Sequence, residues 1–205
     1  PADADTAAYE ALVAEFLADD QSPEQAVRPL AKKAVDRPDD EIDAAALRTD
    51  WLALRDVHDF MAMLRRHKAG RIQAMKLVGD NLAWQVPNDA FTTAVTKAAE
   101  TGLSIMIFVG SPGVIQIHTG SVENLKVVGP WFNVLDEGFN LHLRAEDIAQ
   151  SWVVRKPTKD GHVTSLEVYN ADGDQIALMF GERREGQPEN EDWRTLVESL
   201  GGETV

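Results

Sequence analysis

The chain has 205 residues, with 34 acidic side chains against 20 Lys and Arg, and no cysteine. The missing cysteines exclude a disulfide scaffold and any thiolate-held zinc or iron–sulfur centre. A net charge of −14 argues against nucleic acid, which requires clustered Lys and Arg along one face. The charge is uneven: residues 1–50 carry −8, residues 51–180 carry −2 and residues 181–205 carry −4, so acidic ends flank a near-neutral body.

This length suits one large domain, or one domain with an appended arm. No apolar run approaches the roughly 18 residues of a membrane span, and no secretory leader pattern is visible. The cytoplasm is therefore expected. Because the sequence begins at Pro1 without a methionine, its ends are expected to be those of a processed or cut piece.

Taken in chain order, Ala8, Leu12, Val13, Phe16 and Leu17 have helical spacing over 7–18. Residues 21–40 hold Pro23, Pro29 and Pro38 among many charges and read as a linker. A second helix is expected from Pro38-Asp39-Asp40 to about His67, with Gly70 as its C-cap. From Arg71 the period shifts toward 2. Strands are expected at 105–109, 114–118, 125–128, 139–143, 152–155, 166–169 and 176–180. Asp160-Gly161 and Asp172-Gly173 between such runs are hairpin signals, so neighbours should pair antiparallel. One helix from Asp89 to Glu100, ended by Gly102, interrupts the strands; 145–150 suits a short turn and 192–200 a last helix. The fold class expected is α+β, a meandering antiparallel sheet flanked by helices, with an N-terminal helical arm. Residues 1–41 form the arm and linker, 42–187 the domain and 188–205 an acidic C-terminal helix or tail. There is no internal repeat.

Candidate chemistry centres on the five histidines. None forms a His-x-x-x-His or Glu-x-x-His pair, so zincin and di-iron sites lack support. His118 and His142 fall on the polar side of their strands and read as sheet-face residues; His67 and His162 read as exposed. His58 differs. Leu47, Trp51, Leu54, His58, Met61 and Leu64 are spaced to line one helix face, which would turn His58 toward something buried. An imidazole there needs a partner, since a buried polar group without one costs about 1–3 kcal/mol. A backbone carbonyl, a carboxylate, a water or a metal centre would each serve, and the residues alone leave a satisfied core histidine and a ligand both open. Asp56 and Asp59 flank His58 and could orient an imidazole, but adjacent helix positions point to other faces, so both read rather as exposed helix charges. Two basic pairs, Arg155-Lys156 and Arg183-Arg184, sit at strand ends; either suits a carboxylate, and either suits plain solvation. No Gly-x-Ser-x-Gly elbow or phosphate loop occurs.

Several phrases together resemble a family. Ile107-Phe-Val-Gly110, Ile115-Gln-Ile-His-Thr-Gly120, Val128-Gly-Pro-Trp-Phe-Asn-Val-Leu-Asp136, Phe139-Asn-Leu-His-Leu-Arg144 and Trp152-Val-Val-Arg-Lys-Pro-Thr158 look like bacterial haem-utilisation proteins of the HemS/ChuS/PhuS type. Val163-Thr-Ser-Leu-Glu167 and Phe180-Gly-Glu-Arg183 fit the same pattern. The resemblance implies a cytoplasmic protein that receives and traffics imported haem for iron acquisition. The alternative it implies is an enzyme that opens the macrocycle with O2 and an electron donor. It implies that His58 is the axial ligand of haem iron, that Lys156 and Arg183 contact the haem as basic groups, and that Phe108 and Phe180 lie near the macrocycle. It further implies that this chain is the second half of a tandem, with residues 1–41 closing the first half. The partners implied are haem, a haem-import receptor or transporter, and either a second copy or the other half.

Overall fold

The computed structural model describes residues 5–23, 35–184 and 186–201. Its contacts divide the chain into two units, 1–35 and 36–205. In the first, helix α1 (Thr6–Phe16) is capped by Asp5, whose carboxylate accepts the Ala8 amide at 2.9 Å. The apolar row Tyr9, Leu12, Val13 and Phe16 is exposed along it. Of the expected linker, 24–34 lie outside the described residues.

The second unit corrects the single helix expected over 38–67. A 3-10 turn at Asp39–Glu41 precedes α2 (Ala44–Leu52), a second 3-10 turn spans Val57–Asp59, and α3 runs Phe60–His67. The break has a local cause. The Asp56 carboxylate accepts the His58 amide at 2.8 Å, which starts a new turn in place of continuing the old helix. Helix α3 ends at Lys68, which adopts the left-handed conformation (φ 52°), with Arg65, Arg66 and His67 suited to the negative helix end. Gly70 instead begins α4 (Arg71–Leu77), a helix where strand periodicity was expected.

Among the described residues nine strands follow, all paired antiparallel. They are β1 (Ala83–Val86), β2 (Ile105–Gly110), β3 (Ile115–Gly120), β4 (Leu125–Val128), β5 (Trp131–Asp136), β6 (Phe139–Arg144), β7 (Gln150–Thr158), β8 (Gly161–Tyr169) and β9 (Gln175–Gly181). Helix α5 (Ala90–Thr101) lies between β1 and β2, and α6 (Glu191–Glu198) follows β9. Six strands form one sheet in the order β1-β7-β8-β9-β2-β3, and β4-β5-β6 form a second. The family-like α+β architecture expected from the sequence is therefore present. Strands β1 and β5 had not been expected; β5 is bounded by Gly129-Pro130 and by Gly138 at φ 84°, a turn conformation that favours glycine.

The long sheet has two different faces because β side chains alternate. On one, Val153, Leu166, Val168, Met179 and Ile107 pack with α5, the small sheet and α6. Trp193 and Val197 of α6 are fully buried there, and the Trp193 indole donates to the Thr164 carbonyl at 2.9 Å. The helix expected over 192–200 is thus present and belongs to the domain core. On the other face, Trp152, Val154 and Tyr169 pack beneath Leu47, Trp51, Phe60, Met63 and Leu64. Each such side chain contributes roughly 1.5–3 kcal/mol when taken from water. These helices stop partway across. The register Met106↔Phe180 and Phe108↔Leu178 continues the same face past the helices, and its aromatic rings are only half-buried.

Candidate functional site

A pocket opens where the helical cover ends. Its floor is Met106 and Phe108 of β2, Val163 of β8 and Phe180 of β9; its rim is Arg55 to His58, Thr158 to Asp160, and Arg183. The volume is about 390 Å³, within the range of small-molecule sites. Phe108 and Phe180 meet edge to face, with centroids 5.3 Å apart. A largely apolar floor with cations at its edge suits a flat apolar molecule that carries anionic groups.

His58 stands on the rim. Its side chain is 90% exposed, which corrects the expectation of a buried helix face: the helix ends at Leu52, the row stays buried to Leu54, and burial resumes at Phe60 rather than at Met61. A partner is nonetheless present. Asp56 Oδ1 lies 2.7 Å from His58 Nδ1, so Asp56 is not the uninvolved helix charge expected. The amide and imidazole of His58 hold the Asp56 carboxyl below the usual carboxylate range. The loop is tied to the sheet by the Lys159 amide, which donates to the Arg55 carbonyl at 3.0 Å.

Of the expected site residues, His58, Phe108, Phe180 and Arg183 come together in this pocket. Lys156 does not. It is 3% exposed, and its ammonium lies 2.9 Å from Glu167 and 4.7 Å from the Phe60 ring centre. Glu167 also accepts from Nε and Nη2 of Arg71, at 2.8 and 2.7 Å, and from the Tyr169 hydroxyl at 2.5 Å. Burial pulls the Lys156 ammonium below its ordinary value, though Glu167 opposes this. Burial alone would raise Glu167, but Arg71 and Lys156 hold it well below the carboxylate range. Burial and the Glu167 charge push the Tyr169 phenol up. Arg155 is likewise committed, to Glu198 at 2.6 Å, on the opposite side of its strand from Lys156.

Of the other histidines, His142 and His162 are exposed as expected, while His67 and the strand of His118 depart from expectation. His67 is only 14% exposed and meets Asp50 at 2.9 Å. His118 stacks on Phe139 at 3.8 Å, while its supposedly inward neighbours Ile115 and Ile117 are exposed. His142 Nδ1 lies 2.7 Å from Asn133 Oδ1, and His162 is exposed. Among the described residues, no group of three or more His, Cys, Asp or Glu could hold a metal ion, and no helix is long and apolar enough to cross a membrane. Any metal at His58 would therefore draw its remaining ligands from elsewhere, as the iron of a macrocycle does. The residues present fit such a group: one imidazole, an aromatic floor, and a rim on which Arg55, Lys159 and Arg183 stand beside Asp56 and Asp160.

Sequence reasoning missed Arg55, Met106, Lys159 and Val163. Alternation along β2 placed Met106 beside Phe108, and the Asp160-Gly161 turn marked the hairpin tip that supplies Lys159; Arg55 and Val163 had no comparable signal.

The model of the haemin-degrading HemS.ChuX domain matches residues 68–200. The chain belongs to this family. Haemin transport protein HemS of Yersinia enterocolitica is 43% identical over 204 residues, which is 98% of this chain and 57% of HemS. The structure of holo-PhuS, a haem-binding protein from Pseudomonas aeruginosa, superposes with a TM-score of 0.87 at 47% identity, covering 96% of this chain and 57% of PhuS. ChuS, an Escherichia coli haem oxygenase, matches with a TM-score of 0.80 at 42% identity, over 96% of this chain and 57% of ChuS. This HemS.ChuX chain thus spans little more than half the length of the relatives it matches.

Proposed function

We propose that this chain is a haem-binding module that receives and traffics imported haem in the cytoplasm. The observation that carries the reading is the pocket itself: the imidazole of His58, held by Asp56, lines the same pocket as Phe108, Phe180 and Arg183. Haem supplies an iron that takes an imidazole nitrogen as axial ligand, and a macrocycle with two carboxylates. His58 holds the iron, the two phenylalanine rings pack against the macrocycle, and Arg183 faces a carboxylate. Lys156 enters as a support beneath the His58 turn rather than as a contact. A haem-import receptor or transporter delivers the ligand, and a second copy of the fold, or another half, completes the other side of the iron.

Haemin titration followed by absorbance tests this. The wild-type chain is expected to shift the Soret band with saturable binding, and His58→Ala to lose that shift. Unchanged spectra and affinity in His58→Ala would falsify the ligand assignment.

A second reading is degradation of the macrocycle. The matched model is that of a haemin-degrading domain, and ChuS is a haem oxygenase. Incubating the haem complex with reductant and O2 separates the two. A trafficking module keeps its Soret band; a degrading enzyme loses it and releases iron.

A further inference from the structure

Two carboxylates line the pocket, Asp56 and Asp160, and Asp56 touches His58. Asp56 Oδ1 accepts the His58 backbone amide at 2.8 Å and lies 2.7 Å from Nδ1 of the same residue. The backbone around it is pinned: the Asp56 carbonyl accepts the Asp59 amide at 3.2 Å, and the Arg55 carbonyl accepts the Lys159 amide at 3.0 Å. An exposed aspartate is ionised at neutral pH and can only accept. The Nδ1 atom facing it must then be the donor.

We propose that Asp56 is a positioning residue that keeps the ring hydrogen of His58 on Nδ1 and so leaves the Nε2 lone pair open to the pocket. A free neutral imidazole favours the opposite tautomer, with its hydrogen on Nε2 and no lone pair there to donate. Which nitrogen is free is set by the hydrogen bond that the other one makes. A ring at the rim of a pocket, 90% exposed, has no packing to select its orientation. The carboxylate does so instead. A carboxylate behind a ligating imidazole also raises its donor strength. The inference rests on reading His58 as the ligand of this site, but its first test does not.

That test is the nitrogen chemical shifts of His58 in the ligand-free, isotope-labelled chain, about two pH units above the ordinary histidine pKa of roughly 6.5. Wild type is expected to show a protonated Nδ1 and a bare Nε2. Asp56→Ala is expected to reverse them, and Asp56→Asn to keep them, because its amide oxygen still accepts. A hydrogen on Nε2 in wild type, or no change in Asp56→Ala, overturns the proposal, as does reversal in Asp56→Asn. The second test adds haemin. Asp56→Ala is expected to bind about 10–100-fold more weakly, with His58→Ala as reference. If His58→Ala loses binding while Asp56→Ala binds as wild type, the positioning role fails. If His58→Ala binds as wild type, the ligand reading fails and the tautomer result stands by itself.

Discussion

Lys156 and Glu167 face each other at 2.9 Å beneath the turn that carries His58. Neither is more than 3% exposed. Phe60, two residues beyond His58, has the Lys156 ammonium 4.7 Å and the Arg71 guanidinium 5.1 Å from its ring centre. Trp51 meets the same ring edge-on at 4.7 Å. The start of α3 is thereby fixed to the sheet by charge and packing together.

The ion cluster is asymmetric, so its members should differ on removal. Glu167→Gln leaves the buried Lys156 ammonium and the half-buried Arg71 guanidinium without a counter-charge and is expected to cost about 3–5 kcal/mol in urea unfolding. Lys156→Met leaves Glu167 with Arg71 on two bonds and with Tyr169, so it should cost distinctly less. Equal costs would show that Arg71 does not suffice to hold the carboxylate.

The same cluster sets an acid limb. The folded pKa of Glu167 is depressed, so its stabilising contribution is complete above the unfolded glutamate value of roughly 4.3. Below that, the unfolded chain takes up a proton that the folded chain refuses, and stability falls with pH. Glu167→Gln should flatten this limb in unfolding curves measured at a series of acidic pH values. A limb of unchanged steepness would assign it to other carboxylates.

Phe60 is 2% exposed, and Phe60→Ala should cost about 3–5 kcal/mol. The half-buried Phe180 should behave differently. Phe180→Ala is expected to weaken haemin binding roughly 5- to 30-fold, the equivalent of about 1–2 kcal/mol of apolar contact. Thermal unfolding and haemin titration on both variants check the separation, which fails if Phe180→Ala loses as much stability as Phe60→Ala.

Arg183 is assigned to a carboxylate, so its effect should depend on that group being charged. Arg183→Ala should weaken haemin about 10–100-fold, as expected when a hydrogen bond to a charged group is lost. The dimethyl ester of haemin should bind both forms equally. A matching loss with the ester would point to packing rather than to charge.

Local signals predicted most elements of the long sheet. Alternation over 105–109 and 176–180, and Asp-Gly turns at 160–161 and 172–173, depend on neighbours in the chain. The helix break at 53–56 did not announce itself, because Asp56 reads equally well as an exposed helix residue and as a cap. Met61 and Phe60 are both apolar, and only the turn decides that Phe60 goes inward.

The sequence by itself determined the α+β class, the antiparallel hairpins and, through whole phrases in order, the family. It also singled out His58, Phe108, Phe180 and Arg183, which lie far apart in the chain. Tertiary structure decided where they meet, and it removed Lys156 from their company. Strand alternation assigns Lys156 to the same sheet face as Phe180, but it does not say which part of that face the helices cover. Coverage depends on where α2 to α4 end over the sheet and on a carboxylate, Glu167, opposite the ammonium. Both are long-range facts, and they divide one sheet face into a buried ion cluster and an open pocket.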